Sequence, residues 1–147
     1  MGTWGIGPFD NDTAMDFADA LDEAAEGERD ALVRAALVRT VPPRGRLEYV
    51  EHLEGTEAVA AAALVAAQCP GDEPIDTSYW PDQALPAFAT DLRSLAVEAL
   101  DRVVADASEL AELWDEAPGG TKWRQDVRRL RAVLAPEPEP QDALFDL

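Results

Sequence analysis

The chain has 147 residues, of which 30 are acidic and 12 are basic, so its net charge at pH 7 is −18. Hydrophobic residues make up 47% of it, which is enough for a buried core and excludes an intrinsically disordered chain. The acidity argues against direct binding to bare nucleic acid or to an anionic membrane, because both attract positive charge. The single cysteine, Cys69, rules out an internal disulfide and fits a reducing cytoplasm.

The first helix is predicted from Asn11 or Asp12 to Glu26. Its apolar residues recur at the helical period, and its acidic residues face the opposite way. We expect Asp10 or Asp12 to cap this helix, and Phe9 stands at the hydrophobic-staple position directly before Asp10.

Two further helices are predicted over about residues 28–40 and 47–68, and a break at Gly55 stays open. Residues 58–67 are apolar without interruption, which predicts a central helix covered on all sides. A run of ten apolar residues is too short to span a membrane. Residues 70–86 contain four prolines and no periodicity, so we expect a long loop that has a function or covers the core.

A fourth helix is predicted over about residues 87–105. Ser108 is expected to cap a short helix that reaches about Glu116, and Thr121 to cap the last helix. The apolar stripe of that last helix consists of Trp123, Val127, Leu130 and Leu134. Together these elements predict an all-α fold, a single bundle of five or six helices over residues 1–135.

Residues 136–147 are predicted to form an extended, solvated tail, because the prolines at 136, 138 and 140 prevent a helix at its start. The tail ends in a Leu-Phe tip, and exposed apolar residues on a free segment favour a binding partner. Gln141, Leu144 and Phe145 match the bacterial sliding-clamp binding pentapeptide, whereas Asp142 replaces its usual leucine. The alternative is that the tip folds back onto the protein's own surface.

Positive charge is concentrated in two segments, residues 31–50 with a net +3 and residues 121–135 with a net +4. We expect these arginines to pair with acidic segments when the helices pack.

The opening sequence MGTWGIGPFDND, followed by Asp16-Phe17, and the later stretch SELAELW at residues 108–114 form a specific pattern. It resembles an uncharacterised bacterial family, domain of unknown function 4259, over about residues 1–134. The resemblance implies a bacterial intracellular helical domain, and it supplies no activity and no catalytic residues.

Two aromatic segments are candidate binding sites. Trp4 and Phe9 are predicted to plug one end of the bundle, and the other interpretation is that the glycine-rich turn binds a ligand beside Asp10 and Asp12. In the long loop, Tyr79-Trp80 either closes the bundle or forms a pocket or interface.

Recognisable catalytic chemistry is scarce. His52 is the sole histidine, and the residue three before it is Tyr49, so the Glu-x-x-His pattern of di-iron bundles is missing. The segment Asp10-Asn11-Asp12 begins like a calcium loop, but Ala14 and Met15 stand where a ligand and the turn glycine belong. We expect neither a cofactor nor a bound metal.

The sequence therefore favours a non-enzymatic, cytoplasmic interaction protein that binds another protein. A basic partner fits the acidity best, in an inhibitor-like or immunity-like role. The alternative is an enzyme of unfamiliar type that uses the carboxylates of Asp10, Asp12 and Asp16 with a divalent metal. In a third interpretation the charge only maintains solubility.

Overall fold

The computed structural model of the protein describes residues 11–41, 50–68, 91–105 and 107–134. The predicted all-α fold is confirmed, since the regular secondary structure of these residues consists of helices alone. The six α-helices are α1 (Asp12–Glu23), α2 (Arg29–Val38), α3 (His52–Ala66), α4 (Asp91–Val103), α5 (Glu109–Asp115) and α6 (Gly120–Leu134).

Helix α1 is capped by Asn11, whose side-chain oxygen accepts a hydrogen bond of 2.7 Å from the Ala14 amide. The prediction that Asp10 or Asp12 provides this cap is therefore wrong. The helix also ends three residues earlier than predicted, at Glu23. Ala24 and Ala25 are extended, and a single 3-10 turn at Glu26–Glu28 leads into α2.

The Arg29 guanidinium explains why α1 ends there. Its Nε donates 2.9 Å to the Leu21 carbonyl, and one terminal nitrogen donates 3.1 Å to the Ala24 carbonyl. These carbonyls lie at the negative end of the helix dipole, and α1 has no basic residue of its own there.

Helix α3 is the centre of the bundle, as its sequence predicts. Every residue from Ala58 to Ala66 is buried, and all five other α-helices pack against this helix. The break considered at Gly55 is absent, because Gly55 lies inside α3. Its missing side chain lets the helix approach Leu110 of α5, whose Cβ would be 3.3 Å from an added methyl carbon.

Helix α4 buries one face that includes Leu92 and Ala96, and α6 buries its predicted apolar stripe of Trp123, Val127, Leu130 and Leu134. The Trp123 ring stacks on Trp114 of α5 with centroids 5.8 Å apart. Thr121 does not cap α6, which begins one residue earlier at Gly120. A side chain at Gly120 would collide with the Trp114 carbonyl, so only glycine lets the chain turn there.

Ser108 caps α5 as predicted, accepting 3.3 Å from the Ala111 amide. A short parallel bridge joins the starts of α3 and α5, in which Val50 N donates to Ala107 O and Glu109 N donates to Val50 O, each at 2.9 Å.

Candidate functional site

Most of the predicted binding residues fall outside the described residues. They are Trp4, Phe9, Asp10, Tyr79, Trp80, Gln141, Leu144 and Phe145. The aromatic plug, the long loop and the clamp-type tail therefore stay predictions. Asp12 is described, and it lies exposed in the first turn of α1.

Asp12 belongs to a straight line of carboxylates on α1. Asp12, Asp16, Asp19 and Glu23 follow one another at spacings of four, three and four residues, which places them on one side of a helix. All four are exposed, and the buried residues Ala14, Phe17, Ala18 and Leu21 lie on the opposite side. We call Asp12, Asp16, Asp19 and Glu23 the acidic face.

Within the described residues, the acidic face has no counter-charge from the protein itself. Helix α1 contains no basic residue, and within the described part of the chain none of these four carboxylates forms an ion pair. Like charges three or four residues apart on a helix destabilise it by about 0.2–0.5 kcal/mol per pair. The acidic face is therefore a local cost to stability.

Several arginines, by contrast, form ion pairs with carboxylates on other helices of the same protein. Arg34 of α2 forms a two-pronged pair with Asp91 of α4 at 2.9 and 3.0 Å, and this contact lowers the pKa of Asp91. Arg124 holds Asp115 at 2.8 and 2.9 Å and lowers the pKa of that carboxyl by the same hydrogen bonding. The expectation that basic segments pair with acidic ones is confirmed, and the further pairs between helices are Arg39–Glu57 and Arg131–Asp101.

Three arginines also bind the carboxyl ends of helices. Arg29 does so at α1, as described above, and Arg93 donates 3.2 Å to the Leu134 carbonyl at the end of α6. Arg124 donates 3.3 Å to the Val104 carbonyl just after α4. Much of the scarce positive charge thus interacts with helix ends and with carboxylates on neighbouring helices.

Glu109 of α5 links two helices rather than forming a reactive site. One of its carboxylate oxygens accepts the His52 backbone N–H at 2.8 Å and contacts the His52 Nδ1 at 2.9 Å. The hydrogen bond from the His52 backbone, followed by that from its ring, lowers the pKa of Glu109. His52 is thereby placed at the start of α3 by a residue 57 positions away, and among the described residues no cluster of three metal-ligating side chains forms.

Sequence reasoning missed a pocket between α4 and α6. It has a volume of about 200 Å³ and is lined by Leu100 and Asp101 of α4, by Val104 directly after α4, and by Arg124, Val127, Arg128 and Arg131 of α6. The signal was present in the spacing of Arg124, Arg128 and Arg131, which places all three on one side of a helix. What the sequence could not show is that α4 lies beside them.

The fold and these surfaces define a helical domain with an exposed acidic face on α1 and with arginines that pair with other groups of the same protein. The sequence profile of the family described as Domain of unknown function (DUF4259) matches residues 2–126, and the chain belongs to this family. No curated protein and no solved structure was found to match the chain. Among the described residues, no helix has the length and apolar character needed to cross a membrane.

Proposed function

We propose that the protein is a non-enzymatic interaction domain whose acidic face binds a basic surface on another protein. The observation that carries this proposal is the line of four exposed carboxylates on α1, which form no ion pair with the described residues. We place the interaction in the bacterial cytoplasm. A chain with one cysteine forms no internal disulfide and therefore needs no oxidising environment.

The energetics of α1 support this proposal. The acidic face opposes helix formation by its own repulsion, and Glu23 lies near the end of α1 where the helix dipole favours a positive charge. A basic partner would relieve both effects, since its Lys or Arg side chains would lie among carboxylates that have no competing ion pair within the described part of the chain. If the same carboxylates formed ion pairs within the protein, they would attract a basic partner much less.

The class of partner follows from this charge. A protein surface rich in Lys and Arg, such as one that holds nucleic-acid phosphates, complements a regular row of carboxylates. Covering such a surface would be an inhibitor-like or immunity-like function. Association should be fast at low salt and should slow steeply as ionic strength rises, because exposed charges are screened.

The test compares two variants that remove the same amount of charge. The acidic-face variant carries Asp16→Asn, Asp19→Asn and Glu23→Gln, and the control variant carries Glu28→Gln, Glu98→Gln and Glu116→Gln at exposed positions elsewhere. Each immobilised protein is used to capture basic proteins from a host extract at about 50 mM salt. The association rate of the captured protein is then measured from about 50 to 200 mM salt.

We expect the parent and the control variant to retain the same basic partner and the acidic-face variant to lose it. Equal loss in both variants would assign the effect to net charge alone. Binding that changes neither in the acidic-face variant nor with salt concentration would contradict the proposal. The net charge of −18 would then serve only solubility.

A further inference from the structure

The pocket between α4 and α6 is a positively charged site on an otherwise acidic protein. Arg124, Arg128 and Arg131 project along one side of it, and Asp101 is the one acidic residue in its lining. Two of the arginines are already paired, Arg124 with Asp115 and Arg131 with Asp101. Each of these two guanidinium groups therefore already has a carboxylate partner.

Arg128 lies between them and is different. It is exposed, and within the described residues its side chain forms no ion pair or hydrogen bond. Val104, which is partly exposed, lies across the pocket from α6, and the buried side chains of Leu100 and Val127 complete an apolar floor. A ligand for this site needs a carboxylate or other anionic group for Arg128 and an apolar group for the floor.

We propose that this pocket binds the chain's own C-terminal segment, residues 136–147. The segment carries four carboxylates and no basic residue, so its net charge is −4, and its tip contains Leu144, Phe145 and Leu147. Its carboxylates pair with Arg128 and the neighbouring arginines, and the Leu144-Phe145 tip covers Val104. This site is separate from the acidic face and does not depend on the function proposed for it.

The connection is long enough. Helix α6 ends at Leu134, and Arg131 and Arg128 lie within two turns of that end. Arg124, the most distant of the three, is ten residues back, or about 15 Å along the helix. Leu144 is ten residues beyond Leu134, and an extended chain of that length reaches about 31 Å. The tail can therefore reverse direction and reach the whole pocket.

Tethering also favours this occupant over a free anion. A free anionic ligand is repelled by a molecule of charge −18, whereas an attached segment is present at an effective concentration in the millimolar range. The same repulsion disfavours the acidic face as a resting place for the tail. If the tail is bound in the pocket, its Leu-Phe tip is covered and unavailable to a partner such as a sliding clamp.

The experiment uses the full-length chain labelled for NMR, in which backbone relaxation of residues 141–147 and the methyl shifts of Val104 and Val127 are measured. We expect tail order parameters above about 0.6 in the parent at low salt. Arg128→Glu should lower them to the range of a free chain and shift the Val104 methyl signals. Leu144→Ala with Phe145→Ala should shift the same methyl signals while leaving the helices unchanged.

Lys122→Glu is the matched control, because it makes the same charge reversal on an exposed residue of α6 that does not line the pocket. It should leave the tail ordered. A parent tail with free-chain order parameters, or an equal response to both charge reversals, would overturn the proposal. Tail order that rises with protein concentration would also overturn it, since the pocket would then hold the tail of a second copy.

Discussion

A single glycine, Gly120, decides how tightly the turn before α6 can close. Gly120 begins α6 directly beside the Trp114 carbonyl, whose carbon would lie 2.9 Å from an added Cβ. Gly27, in the 3-10 turn before α2, has nothing within 4 Å of the same position. The two glycines look alike in the sequence, and only their surroundings distinguish them.

Gly120→Ala is therefore expected to destabilise the protein by about 1–3 kcal/mol, because backbone must move to admit the methyl group. Gly27→Ala should be neutral or should stabilise by up to about 1 kcal/mol, since it restricts the unfolded chain without a clash. Urea unfolding of both variants measures the difference. Equal midpoints would mean that α5 and α6 do not meet as closely as described.

A second prediction at the scale of the residue concerns Arg29, which is buried and binds two carbonyls at the end of α1. Arg29→Met should cost about 1.5–3 kcal/mol, because the substitution leaves those carbonyls without a charged donor. Arg39→Met is the control, since Arg39 is half exposed and pairs only at the surface with Glu57. Its cost should be about 1 kcal/mol or less. A cost for Arg39→Met that matches that for Arg29→Met in urea unfolding would contradict the assigned function of Arg29.

At the scale of the elements, the starts of α3 and α5 are locked together by Val50, His52 and Glu109. The Glu109 carboxylate supplies the hydrogen-bond acceptor that α3 lacks at its own first residue, where Glu51 makes no side-chain cap. Gly55 permits the same two helices to approach through Leu110. This contact depends on residues more than 50 positions apart.

Glu109 gives this junction a pH dependence. Since its pKa in the folded protein is below its ordinary value of 4.5, its contribution to stability is complete above that value and is lost as the pH falls through the lowered pKa. Glu109→Gln should therefore lower stability at pH 7, and the difference from the parent should shrink below about pH 4.5.

Thermal unfolding between pH 7 and pH 3 measures this, with Glu116→Gln as a control at an exposed acidic position at the end of α5. A constant difference between the parent and Glu109→Gln across that range would show that the carboxylate charge does not stabilise the junction.

At the scale of the whole molecule, the net charge of −18 is arranged unevenly. Arginines join α2 to α4, α2 to α3, and α6 to α4, so opposite charges lie between helices. Among the residues that the structure describes, the acidic face of α1 forms no such pair. Repulsion among the carboxylates of the acidic face therefore opposes the attraction of the ion pairs between helices, and added salt weakens both.

Salt should raise the melting temperature of the parent between about 10 and 150 mM, as the screening length falls from about 30 to 8 Å, because exposed ion pairs contribute little. The acidic-face variant should be more stable than the parent at low salt and should gain less from added salt. Calorimetry at three salt concentrations tests both expectations. A melting temperature that falls with salt would show that the ion pairs between helices outweigh the repulsion.

Much of the fold was predictable because it depends on local pattern. The apolar stripe of α6, the Ser108 cap and the uniformly apolar centre of α3 all follow from spacing along the chain, and the structure confirms them. Helix ends were less predictable. Asn11 caps α1, whereas Asp10 or Asp12 was predicted to do so, since neighbouring polar residues compete for the same position.

The candidate site also has features that follow from one helix alone and features that depend on how the helices pack. The sequence alone determined that α1 carries its carboxylates opposite its apolar residues, because periodicity within one helix sets both. Only the tertiary structure decided that these carboxylates have no ion-pair partner among the described residues, that Arg34 meets Asp91, and that Arg128 lines a pocket beside α4. Pairing between charges depends on which helices become neighbours, and that choice is made by the packing of the whole core around α3.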